Sequence, residues 1–201
     1  MKKHVLFFVA LFLTATNVFA QSDTSNSVFR KTAPRHYAVN QALEAESLVP
    51  MFFTGGYHFA IGYRYKKFRL RASVINGGHY DAEPAGLKNS SADFKRYYKT
   101  SPGFFLGYNV WKNLELYSFV EMHTFRIGQK NTGMHQDIRS NDFGGGISYQ
   151  FFVGRYFYIQ PGMHLYLRAG KTADFDGVKY NIPHADISPV LRLGFRLWEK
   201  F

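Results

Sequence analysis

Gly56-Tyr-His-Phe-Ala-Ile-Gly-Tyr-Arg-Tyr-Lys66 is the stretch on which the fold turns. Its odd positions are Tyr57, Phe59, Ile61, Tyr63 and Tyr65. Its even positions are Gly56, His58, Ala60, Gly62, Arg64 and Lys66. Successive side chains of a strand point to opposite faces, so this is a strand with one apolar face and one small or charged face.

The same period of two runs outward in both directions. Phe68, Leu70, Ala72 and Val74 oppose Arg69, Arg71, Ser73 and Ile75. Leu114, Leu116, Val120 and Met122 oppose Glu115, Tyr117, Glu121 and His123. Phe157, Ile159, Met163, Leu165 and Leu167 oppose Tyr158, Gln160, Gly162, His164, Tyr166 and Arg168. Leu191, Leu193, Phe195, Leu197 and Phe201 oppose Arg192, Gly194, Arg196, Trp198 and Lys200. Two further segments, around Phe104 to Val110 and Phe143 to Val153, alternate likewise, making seven strands. Val39 to Val49 is read as an eighth that carries Glu44 and Glu46 on one face, although Asn40 to Glu46 also fits a helical turn.

The connections alternate in length. Lys66-Lys67, Lys112-Asn113 and Gly154-Arg155 are tight, whereas residues 77–101, 128–141 and 170–187 are long and polar, and 50–55 is intermediate. This predicts an all-β fold, an eight-stranded antiparallel up-and-down barrel with turns at one end and loops at the other. Two orientations satisfy the alternation. A soluble, lipocalin-like carrier keeps its apolar face inside, and a transmembrane barrel turns it out. Glycines such as Gly62, Gly107 and Gly194 crowd the polar face, as a narrow lumen requires. Aromatics gather towards the strand ends of the apolar face, as at a membrane interface. Both features favour the transmembrane barrel.

The start of the chain agrees with export. Met1-Lys2-Lys3-His4, an apolar run from Val5 to Leu13 and Val18-Phe19-Ala20 read as a signal peptide over residues 1–20. Residues 21–36 then form a polar periplasmic lead, and residues 37–201 the barrel. No later apolar run is long enough for a membrane helix. Cysteine is absent, which excludes disulfides, thiol nucleophiles and Cys-based metal sites. The formal charge is +11, or +9 without Lys2 and Lys3. Its basic residues are scattered along the strands and not clustered, so anionic lipid rather than nucleic acid is the expected counterpart.

The ending Arg192-Leu-Gly-Phe-Arg-Leu-Trp-Glu-Lys-Phe201 resembles the C-terminal signal strand of bacterial outer-membrane barrels. The mature chain is similar, in length and loop layout, to their small eight-stranded OmpA/OmpX-like class. The resemblance implies an outer-membrane location with periplasmic termini, and Phe201 as an insertion signal read by the outer-membrane assembly machinery. Glu199 departs from the pattern, because a hydrophobic residue often stands there.

Inside such a barrel, Glu44 and Glu46 lie within reach of Arg64, Arg69, Arg71, Arg192 and Arg196, and buried charges must be paired. An ion-paired plug is the expected lumen, with the excess of arginine facing water or an anion. His58, Glu121, His123, His164 and Arg168 form a candidate cluster towards the loop end, where His and Glu can serve acid–base chemistry or a metal. No tight metal motif and no cofactor motif accompany them. The leading expectation is a non-enzymatic integral barrel with a structural or surface-interaction role, in contact with outer-membrane lipid and lipopolysaccharide. A protein partner is not specified. Lys88, Lys95, Arg96 and Lys99, with Tyr97 and Tyr98, are the loop residues for such contacts. The alternatives are a lipid-A-modifying acyltransferase or deacylase, with a cross-strand pair such as Ser188 and His58, and a narrow channel.

Overall fold

A computed structural model describes residues 38–80, 94–169 and 171–201. The signal peptide, the lead to residue 36 and Lys88 lie outside the described residues.

The strands are β1 (Gln41–Leu48), β2 (Gly56–Tyr65), β3 (Phe68–Tyr80), β4 (Phe94–Trp111), β5 (Leu114–Gln129), β6 (His135–Tyr149), β7 (Phe151–Val153), β8 (Phe157–Arg168), β9 (Lys171–Phe175), β10 (Val178–Ile182) and β11 (Ala185–Lys200). One short helix, α1 (Val49–Phe53), follows β1. Each barrel strand pairs antiparallel with its neighbour, and β11 pairs with both β8 and β1. Strands β6 and β7 are one stave interrupted at Gln150, since both pair with β8. The result is a closed barrel of eight staves. Gln41 to Leu48 is therefore a strand, and Asn40 to Glu46 forms no helical turn.

The tight turns stand as read. Lys66 and Lys112 hold φ of 52° and 48°, a left-handed conformation that permits the two-residue reversals at those points. The long connections need correction. Strand β3 continues through Tyr80, β4 begins at Phe94, and β5 and β6 converge on a short reversal between Gln129 and His135. Residues 95–99 thus belong to β4 and not to a loop. Residues 171–182 form the β9–β10 hairpin, whose strands pair from Val178–Phe175 to Ile182–Lys171. The stretch from Pro50 to Gly55 is mostly α1.

Facing follows the alternation. Phe59, Leu70, Leu106, Phe143 and Leu167 are exposed on the outer wall, while Glu44, Arg69, Glu115 and Arg196 are fully buried inside. The apolar face is the exterior. The interior glycines accommodate large neighbours: a Cβ on Gly107 meets the Glu115 carboxylate at 2.7 Å, and one on Gly194 collides with the Tyr158 ring.

Two features depart from simple alternation. In β11 the register slips against β1, with Leu43 opposite Trp198 but Glu44 opposite Arg196, so Leu197 is an extra residue. Beyond this bulge the parity flips. Trp198 and Lys200 are exposed rather than inward, and Glu199 turns in. Phe201 is half exposed after the strand end, but its parity with Leu191 to Leu197 is broken. In β5 the polarity of the alternation reverses. Inward positions run Glu115, Tyr117, Phe119, Glu121, His123 and then Phe125 and Ile127, while the outward stripe changes from Leu116, Val120 and Met122 to Thr124 and Arg126. Above His123 the barrel has an ordinary apolar inside. There Phe94, Phe125, Ile127 and Ile138 pack with Ala173, Phe175, Tyr180 and Ile182 of the hairpin.

Candidate functional site

The lumen is stacked in layers that follow from register. Strands β1, β3, β5 and β11 carry inward charges on one parity, Glu44 and Glu46, Arg69 and Arg71, Glu115 and Glu121, and Arg192 and Arg196, and closure brings them towards a common axis. Nearest the tight turns, Arg196 donates from Nε and Nη2 to Glu44 Oε1 at 3.0 and 2.8 Å. Its Nη1 reaches Glu199 Oε2 at 3.3 Å, a contact the bulge makes possible. Glu199 also receives Arg155 Nε from the tight turn at 2.9 Å. Arg64 lies 3.7 Å from Glu44 and donates to Gln150 Oε1 at 2.7 Å.

Arg69 and Glu46 hold the next layer. Arg69 contacts Glu44 through Nε at 2.6 Å, Glu46 through Nη2 at 2.7 Å and Glu115 through Nη1 at 3.3 Å. Glu46 also accepts from Arg71 Nη1 at 3.1 Å and from the Tyr158 hydroxyl at 3.1 Å, and lies 3.4 Å from Arg192 Nε. Arg71 Nη2 donates to Glu115 Oε1 at 2.7 Å. Gln160 accepts from Arg69 and donates to Ser148. The seven residues expected to form a network, Glu44, Glu46, Arg64, Arg69, Arg71, Arg192 and Arg196, are thus contiguous. Glu115, Tyr158, Gln150 and Gln160 complete it. Glu115 was visible as an inward carboxylate, whereas the partners of the neutral side chains depend on cross-barrel distance, which alternation does not encode.

The predicted histidine cluster divides in two. His164 Nε2 accepts from Arg192 Nη2 at 2.7 Å, and its Nδ1 lies 2.9 Å from the Tyr166 hydroxyl. A guanidinium has no acceptor, so Nε2 carries the lone pair and the ring is neutral. Phe105, Tyr117, Phe119 and Tyr166 surround it. His58 Nδ1 accepts the Leu48 N–H at 3.2 Å, and the Ser47 hydroxyl donates to the His58 carbonyl. These two histidines belong to the arginine layers.

Glu121, His123 and Arg168 do meet nearer the loop end, around Asp142. His123 Nδ1 lies 2.9 Å from Asp142 Oδ2, Arg168 Nε 3.0 Å from the same oxygen, and the Ser140 hydroxyl donates to Asp142 Oδ1 at 2.5 Å. Glu121 Oε2 is 3.7 Å from His123 Nε2. Asp142 is the member of this cluster that the sequence reading did not single out. Because Ser140 gives its proton to Asp142 rather than to His123, the order of contacts is not that of a nucleophilic triad. Ser188 donates to the Pro189 carbonyl at 3.4 Å, not to His58. Among the described residues no three His, Asp or Glu side chains converge with metal-site geometry.

This arrangement can neutralise charge, fix strand register and block passage. In comparisons with known proteins, no family model and no curated sequence matched the chain.

Proposed function

We propose that this chain is a non-enzymatic integral barrel of a Gram-negative outer membrane, of the small OmpA/OmpX-like kind, with a plugged lumen and a structural or surface-interaction role. The observation that carries this reading is the inside-out wall: exposed aliphatic and aromatic stripes around a buried network of arginine and glutamate. In water those stripes would be an unusually large apolar patch, whereas a bilayer solvates them.

Two further features support it. At the tight-turn end, Lys66 sits over the Tyr65 ring, Lys67 over Tyr108, Lys112 over Trp111 and Arg155 over Tyr156, at 4.6 to 5.8 Å. Rings with cations beyond them suit an interface of anionic head groups. At the other end, the reversed polarity of β5 above His123 suits a wall that has emerged into water. In this orientation the termini are periplasmic, and the extended staves with the β9–β10 hairpin face the outside. Lipopolysaccharide and outer-membrane lipid are the surroundings, and assembly proceeds through the machinery that reads the terminal strand at Phe201.

Gel migration in detergent tests the reading. The folded barrel is expected to run at a different position before and after boiling, and the protein to require detergent for solubility. Unchanged mobility together with solubility in plain buffer would overturn it.

A further inference from the structure

Above Asp142, strand β6 loses a neighbour. It pairs with β8 only from Asp142, opposite Arg168, to Ser148, opposite Gly162, yet it stays paired with β5 up to His135. The chain beyond β8 leaves to build the β9–β10 hairpin. That hairpin touches β6 again where the Asp174 N–H donates to the Gln136 side-chain oxygen at 3.2 Å. Between these two links the wall opens sideways into a cleft of about 740 Å³, lined among others by Arg139, Asn141, Phe143, Leu167, Arg168 and Lys171.

The lining changes character with height. Phe143 and Leu167, 58% and 51% exposed, belong to the apolar outer wall. Asn141 and Arg139 follow Phe143 on the same outward stripe of β6, and Lys171 stands beyond β8. Arg139 and Lys171 are exposed, and among the described residues neither is ion-paired. Arg168 sits at the boundary. Its side chain is 3% exposed and ion-paired with Asp142 at 3.0 Å through Nε, yet Nε and Nη1 are both buried with no hydrogen bond. Asp142 is already shared with His123 and Ser140.

A cationic upper wall, an apolar lower wall and a buried guanidinium N–H that needs an acceptor fit one chemical class. The occupant is anionic at one end and hydrocarbon at the other, and arginine's fork of donors matches phosphate oxygens. We propose that this cleft binds a phosphate-bearing lipid of the outer leaflet, its phosphate held by Arg139, Arg168 and Lys171 and its acyl chain laid over Phe143 and Leu167. The inference rests on the membrane reading above, and adds to it a defined position for one lipid.

The test uses the full folded barrel in detergent micelles, with bound lipid counted by native mass spectrometry. Three probes are compared: diphosphoryl lipid A, its dephosphorylated counterpart, and inorganic phosphate as a competitor. The expected result is retention of the phosphorylated lipid. Retention should fall about tenfold for the dephosphorylated lipid and about tenfold for the Arg139→Gln/Lys171→Gln double variant, in keeping with the loss of charge-assisted hydrogen bonds. Inorganic phosphate should not displace the lipid at equal concentration. Equal retention of both lipids, equal retention by the double variant, or displacement by free phosphate would each overturn the proposal. Both substituted residues are exposed, and boiling-dependent migration reports whether the variant is folded. A barrel that shifts on boiling yet holds both lipids equally loses this inference alone. A chain that does not shift loses the membrane reading itself.

Discussion

Glu46 accepts from Arg69, Arg71 and Tyr158, and Arg192 lies beside it, so four groups from three other staves depend on one carboxylate. Burying that carboxylate is costly, and only the surrounding guanidinium groups offset the loss of water. Glu46→Gln keeps the shape but removes the charge, leaving arginines in excess. The expected loss is about 3–5 kcal/mol, read from the unfolding midpoint of the boiling-dependent gel shift. An unchanged midpoint would mean that the network adds no stability. Asp137 is the opposite case. It lies on the exposed upper part of β6, where hydrogen bonds from Arg126 and Lys99 hold its carboxyl below the usual aspartate range. A depressed value means that the pair stabilises in full above the ordinary aspartate pKa, near 3.9, and loses that contribution as pH falls through the lowered one. Being exposed, it is also screened. A carbon-detected titration should place the Asp137 midpoint below the ordinary value, and roughly 1 M salt should move it back. An ordinary midpoint at low salt would contradict the clamp.

Among the elements, the β9–β10 hairpin is the least predictable from sequence. Strands inside the apolar belt announce themselves, because most outward residues are hydrophobic and most inward ones small, polar or charged. That rule located seven staves, offered Val39 to Val49 as an eighth that a helical turn also fitted, and put Glu44, Glu46 and the arginines on one side. It fails above His123, where the apolar stripe is inward and the outward residues are Thr124, Arg126, Arg139 and Asn141. Polar outward residues interspersed with glycine look like loop, so residues 128–141 and 171–182 read as loops although both are largely strand. The bulge at Leu197 was hidden for another reason. One inserted residue changes no composition, and only the pairing of Glu199 with Arg196 and Arg155 reveals which way the chain turned. Within the hairpin, the Phe175 ring packs 5.2 Å from that of Phe94, and both are buried. Phe175→Ala should cost about 3–5 kcal/mol of local stability. Hydrogen exchange is the appropriate measurement. Amides of residues 171–182 should exchange faster while those of the β1–β11 seam do not change, and uniform acceleration would show that the hairpin is not an independent unit.

For the molecule as a whole, the described side chains fill the lumen in layers. Arginine–glutamate layers fill its lower part, aromatic rings around His164 its middle, and the apolar cluster under the hairpin its top. In a planar bilayer the refolded barrel should give no steady single-channel step under an applied potential. A reproducible step would contradict the plug and restore the channel reading.

The seam between the first and last staves has a consequence for the order in which the molecule comes into being. Glu44 and Arg196 are separated by 152 positions, and Glu46 meets Tyr158 across 112. A nascent fragment ending before Arg196 lacks one half of the first pair, and one ending before Tyr158 lacks a half of both. A sheet that lacks the last stave therefore leaves Glu44 and Glu46 without the guanidinium groups of Arg196 and Arg192, and joining such distant ends carries a large loop-closure entropy. Maturation is then a single late event, when the final stave arrives and satisfies several carboxylates at once. A chain truncated before Arg192 would keep most of its hairpins and still leave Glu44 and Glu46 without their last-stave partners.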